Sequence, residues 1–111
     1  MDGARLPAQV EVSAMLRATE SLGGFATVLH KGDVDSGTIL VVIEQKQGLG
    51  VVYERMPQPD GARKWIAAKV QDPDNKTEFQ DYLDRRKRQD SDTWIIELIV
   101  DDGARLILNA V

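Results

Sequence analysis

Thr38-Ile39-Leu40-Val41-Val42-Ile43-Glu44-Gln45 is the stretch on which the fold turns. Successive side chains of a strand point to opposite faces, so a strand with one wet face carries a polar residue at every second position. Here Ile39 to Ile43 are aliphatic without interruption. The run therefore predicts a central strand, about residues 38–45, covered on both sides. It is also the longest aliphatic run in the chain, far short of the ~20 residues a bilayer span requires.

Upstream of it, Phe25-Ala-Thr-Val-Leu-His-Lys31 reads as another strand, joined to the central one by a loop at Gly32–Gly37. Before that, Val12, Met15, Leu16, Thr19 and Leu22 recur at helical spacing, which predicts a helix over about 9–22. Pro7 marks its entry and Gly23-Gly24 its end. Downstream, Gln47-Gly48-Leu49-Gly50 reads as a hairpin loop into a strand at 51–56, and Pro57-Gln58-Pro59-Asp60-Gly61 as a turn into a strand at about 64–70. Asp72-Pro73 and Asn75 supply helix-start signals for a second helix at about 74–89, with Phe79, Tyr82 and Leu83 as its apolar stripe and the stem of Arg86 extending it. Trp94 to Val100 predicts a strand, and Asp102-Gly103 a turn into a short terminal strand at 105–109. The order is α-β-β-β-β-α-β-β: a single α+β domain over residues 1–111, with a largely antiparallel sheet and two helices. Asp-Gly-Ala-Arg occurs at 2–5, 60–63 and 102–105, but the unequal intervals and unrelated flanks exclude a repeat architecture.

Composition narrows the function classes. The chain has 111 residues, 42% hydrophobic and 29% charged, enough apolar content to exclude a disordered polymer. There is no cysteine and only one histidine, His30, so thiol chemistry and any site needing paired histidines are out. Fourteen basic against eighteen acidic residues give a net charge of −4, which weighs against bulk nucleic-acid binding. Residues 1–20 lack a cationic start followed by an apolar core, so a cytoplasmic protein without a signal peptide or membrane contact is expected.

The densest polar cluster is His30-Lys31-Gly32-Asp33-Val34-Asp35-Ser36-Gly37. As a site it would offer His30, Asp33 and Asp35 as catalytic candidates, with Lys31, Gly32, Ser36 and Gly37 as ligand-binding candidates around an anion or small molecule. As a turn it uses the residues that turns draw on anyway, and this reading has the greater weight. Asp33, Asp35 and Glu44 fall at positions one, three and twelve of a calcium-loop pattern. Thr38 stands where that loop needs glycine and a strand follows where it needs a helix, so no metal site is read and no cofactor is called for. Arg85-Arg86-Lys87-Arg88 suggests nucleic acid, with Arg85, Lys87 and Arg88 as contacts. Residues 72–92, however, hold seven acids and five bases, and Asp81 and Asp84 precede Arg85 and Arg88 at favourable helical spacing.

Taken together, Leu16-Arg17, Gly23-Gly24-Phe25-Ala26-Thr27-Val28-Leu29, Lys31-Gly32-Asp33, Asp35 and Gly37 resemble the first half of an uncharacterised alphaproteobacterial family, domain of unknown function 1491 (DUF1491). Trp65, Tyr82 with the arginine-rich helix end, and Asp90-Ser91-Asp92-Thr93-Trp94 resemble the second half. The resemblance implies a bacterial, cytoplasmic, single-domain protein and brings no catalytic residue with it.

The expected core is Leu16, Phe25, Val28, Leu40, Val42, Ile66, Phe79, Leu83, Trp94, Ile96 and Leu98. Strands 38–45 and 94–100 are apolar on both sides, and two short helices are expected to cover one face of the sheet. Val41, Ile43, Ile95 and Ile99 would then lie on a face needing a curled sheet, a homodimer or a protein partner. The leading function is thus a non-enzymatic binding or protein-interaction module. The alternatives are a small-ligand or enzyme site at His30–Gly37 and RNA contact through Arg85–Arg88.

Overall fold

The computed structural model describes residues 6–44, 48–61 and 63–108. The first helix, α1 (Ala8–Ser21), is followed by strands β1 (Phe25–His30), β2 (Ile39–Glu44), β3 (Gly50–Pro57) and β4 (Arg63–Val70), then by α2 (Lys76–Gln89) and β5 (Trp94–Ile99). The last described element is a short π-helical segment, Ala104–Leu108. The strands form one sheet in the order β1-β5-β2-β3-β4. Its pairings are antiparallel except β2 with β5, which is parallel and sets Val42 beside Glu97 and Glu44 beside Ile99. The observed class is the α+β fold expected, and each helix and strand through β5 lies within about two residues of its expected place, the usual scatter of element ends. Gln45 to Gln47, the start of the expected hairpin loop, lie outside the described residues, as does the first Asp-Gly-Ala-Arg copy.

The two helices take opposite faces of the sheet. Against α1 and the π-helical segment lie Ile39, Val41 and Ile43 of β2 and Trp94, Ile96 and Leu98 of β5, joined by Val12, Met15, Ile107 and Leu108. Against α2 lie Leu40 and Val42, Val52 and Ile95, closed by Phe79 and Leu83. A fully buried aliphatic side chain contributes about 1.5–3 kcal/mol, so two such layers back to back dominate the fold's stability. The expectation that both helices share one face is thereby corrected. The chain must cross from edge strand β4 to interior strand β5, and with α1 and the terminal segment on one side, α2 crosses over the other. Val41, Ile43 and Ile95 are accordingly buried and Ile99 half-buried within one chain, so the uncovered face inferred for them does not exist.

Three expected core residues are exposed: Phe25 at 68%, Val28 at 39% and Ile66 at 43%. All three belong to β1 or β4, the two outer strands, beyond the width that a single helix covers. Leu16 is partly buried against the α1 layer, and the other seven expected core residues are buried. The terminal strand expected at 105–109 is also corrected over 105–108, residue 109 lying outside the described residues. A hairpin after β5 needs a free edge of β5, and both are taken, by β1 and by β2. Instead Asp102 adopts a left-handed conformation at φ 61°, Arg105 pairs with its carboxylate, and the chain folds back so that Ile107 and Leu108 enter the core.

Candidate functional site

The polar loop between β1 and β2 is tied on every side to backbone. The amides of Ala8 and Gln9, opening α1, donate to the carbonyls of Asp35 and Val34 at 3.0 Å each. Helix starts leave such amides without partners inside the helix, and Pro7 offers no side-chain acceptor, so the loop caps α1. On its other side, Asp33 N–H donates to Asp92 O at 2.9 Å, and the indole N–H of Trp94 donates to Asp33 O at 2.6 Å. A Cβ on Gly32 or Gly37 would collide with the carbonyl oxygen of Asp92. Both glycines are therefore demanded by close backbone approach.

The side chains singled out in this loop lead to separate partners. His30 Nδ1 lies 2.7 Å from the carbonyl oxygen of Thr93; a carbonyl only accepts, so the ring proton sits on Nδ1. Asp33 Oδ2 accepts from Ser36 N–H at 2.8 Å, Asp35 N–H at 3.1 Å and Ser36 Oγ–H at 3.1 Å. The Ser36 amide, with the Asp35 amide and the Ser36 hydroxyl, holds the Asp33 carboxyl below its ordinary pKa. Asp35, Ser36 and Gly37 turn the other way, lining a 260 Å³ depression with Glu11, Arg55 and Arg63. There Arg55 is bidentate to Glu11, at 2.6 and 3.0 Å, and its guanidinium lies 5.0 Å from the centre of the Trp65 ring. Lys31 is exposed. Among the described residues no three His, Cys, Asp or Glu side chains gather as metal ligands, and no helix is long and apolar enough to cross a membrane.

The basic end of α2 is largely engaged. Arg86 reaches across the sheet to Glu54 with two hydrogen bonds, at 2.8 and 3.0 Å, which raise its pKa above the ordinary guanidinium value. Lys87 sits 3.9 Å from Asp84, and Arg85 lies over the Tyr82 ring at 5.9 Å. The register of these pairs differs from the expected one: Asp84 takes Lys87, one turn back, and accepts from Gln80 at 3.1 Å.

A different region, not singled out by the sequence, has open chemistry. Strand β1 is an edge, with no described strand on its outer side. From Phe25 to Leu29 it carries no charged residue, and Phe25, Val28 and Leu29 are 68, 39 and 46% exposed. The other edge, β4, reads Arg63-Lys64-Trp65-Ile66-Ala67-Ala68-Lys69-Val70, with the lysines that commonly protect a sheet edge. Behind β1, on the α2 side of the sheet, stands Glu97, whose Cα partner on β1 is Thr27. Glu97 hydrogen-bonds Glu44 of β2, and this bond, with partial burial and the neighbouring carboxylate, pushes its pKa up to about 7. At the other end of β1, a 200 Å³ pocket opens between the strand and α2, lined by Leu29, His30, Leu83 and Ile95, with Gln80, Asp84 and Lys87 at its rim. One signal for this region was legible: Glu97 interrupts Ile95 and Ile99 on one face of an otherwise apolar strand.

Comparison with known proteins follows the same outline. A sequence model for a family described as protein of unknown function (DUF1491) matches residues 6–108. A DUF1491 family protein from Caulobacter crescentus, solved as a crystal structure, superposes with a TM-score of 0.77 at 30% identity, covering 89% of this chain and 92% of that one. An NMR structure of a DUF1491 family protein from the same organism gives 0.75 at 31% identity, with 96 and 94% covered. A solution structure from A. tumefaciens gives 0.76 at 28% identity, with 95 and 94% covered. A search of curated proteins gives no significant match.

Proposed function

We propose that this chain, which belongs to the DUF1491 family, is a non-enzymatic protein-interaction module that takes an extended segment of a partner protein along the outer edge of β1. The observation that carries the reading is the contrast between the two edges. β4 is guarded by Lys64 and Lys69, whereas β1 presents an outer edge that no described strand pairs, together with exposed Phe25, Val28 and Leu29. Edge strands with these features are templates for strand addition, in which backbone hydrogen bonds give affinity and flanking pockets give specificity. The pocket beside Leu29 and His30 is placed to receive a side chain of the added strand.

The enzyme or small-ligand alternative at His30–Gly37 has less support. The polar groups of His30 and Asp33 are spent on Thr93, Ser36 and Asp35, bonds that tie β1 to the entry of β5 and close the loop on itself. The RNA alternative likewise finds Arg86 and Lys87 engaged by acidic neighbours. A photo-crosslinking residue in place of Leu29 in the full chain tests the docking reading in a bacterial extract. The expected result is one adduct that maps to an extended segment of its partner and is lost with Phe25→Asp. Equal labelling from the same reagent in place of Lys64 would overturn it.

A further inference from the structure

We infer that the segment docking on β1 is basic, carrying a lysine or arginine that crosses Thr27 to meet the Glu44–Glu97 carboxyl pair; this rests on the docking reading above. On the α2 side of the sheet β1 contributes Phe25, Thr27 and His30, the residues opposite Ile99, Glu97 and Ile95. Thr27 is the smallest and is exposed, so it forms a low gap between Phe25 and His30. Adjacent strands lie about 4.8 Å apart, which puts an added strand about 10 Å from β5. A lysine or arginine opposite Thr27 and a Glu97 side chain swung from Glu44 toward β1 together span that distance, whereas a short side chain does not reach and an acidic one meets like charge.

The charge complementarity points the same way. Glu97 pairs with Val42 and Glu44 with Ile99, so the two half-buried carboxyls are diagonal neighbours on the α2 face of adjacent strands, on a chain of net charge −4. Among the described residues, the ion pairs engage Glu11, Glu54, Glu78, Asp84 and Asp102, and none of these pairs includes Glu44 or Glu97. An incoming cation beside them favours the ionised form of Glu97, which the neighbouring Glu44 disfavours. A second copy of this chain is the less suitable occupant. Self-pairing of β1 would bring Phe25, Thr27 and His30 to the same face, with no lysine or arginine, and would add the copy's own carboxyl pair. The apolar requirement is met by either occupant; the cationic one is met only by a basic partner.

The test uses the full chain and two capped heptapeptides, one alternating valine with lysine, the other valine with glutamate, followed by backbone amide shifts in NMR. The expected result is that the lysine peptide shifts residues 25–30 and binds about fivefold more weakly to Glu97→Gln, the range for a partly exposed charge pair. The glutamate peptide should bind least. Equal binding of both peptides at β1, unaltered by Glu97→Gln, overturns the basic preference and leaves strand addition standing. Shifts confined to residues outside β1, or none with either peptide, overturn both. Unchanged amide positions in α1 and β3 establish that Glu97→Gln remains folded.

Discussion

Replacing Glu97 by glutamine should make the protein more stable, and only above mildly acidic pH. The carboxyl has an ordinary pKa of 4.5 and is pushed up to about 7 by its hydrogen bond with Glu44, by partial burial and by the neighbouring charge. Between those values the unfolded chain has released the proton and the folded chain holds it. Stability from this group is therefore fully present below about 4.5, falls as pH rises toward about 7, and is flat above. At about 1.4 kcal/mol per pKa unit the shift would correspond to some 3 kcal/mol for a sequestered group; solvent screening of a partly exposed one reduces this to about 1 kcal/mol. Glutamine keeps the hydrogen bond to Glu44 and has nothing to ionise. Urea unfolding of both proteins from pH 4.5 to 8 measures the difference, and groups such as Asp33, whose lowered pKa works in the opposite sense, cancel in the comparison. The variant should match the parent near pH 4.5 and exceed it by about 1 kcal/mol at pH 8. Two curves parallel across the whole range would refute the argument.

Gly32→Ala should cost at least about 2 kcal/mol in urea unfolding, because its methyl meets the Asp92 carbonyl, a backbone atom that cannot yield without moving the entry to β5. Arg86→Met should lower stability by about 2–3 kcal/mol at pH 7, since it strands the half-buried Glu54 carboxylate, and Glu54→Gln in the same background should recover part of the loss. Arg85→Ala with Arg88→Ala should cost less than about 1 kcal/mol and leave RNA binding weak before and after, as read by fluorescence anisotropy at physiological salt.

Hydrophobic periodicity determined the elements. Ile39 to Ile43 could be read as an interior strand covered on both faces because no alternation interrupts them, and all five are buried. The capping of α2 by Asn75, which accepts from Glu78 N–H at 3.3 Å, was likewise local enough to read. The turn character of Asp33 to Ser36 was legible for the same reason: its hydrogen bonds close within three residues. What the sequence could not determine was everything set by strand order. Insertion of β5 between β1 and β2 leaves β5 no free edge, which turns the apolar tail at Leu106 to Leu108 from a strand into a helical turn. The same order makes β1 and β4 the rims, so Phe25, Val28 and Ile66 face solvent although they read as core. It also makes Glu44 a diagonal neighbour of Glu97 across a parallel pairing, a proximity no spacing in the chain announces. Periodicity reports which side of its own strand a residue occupies; which strand stands next to it is decided by the packing of the whole sheet.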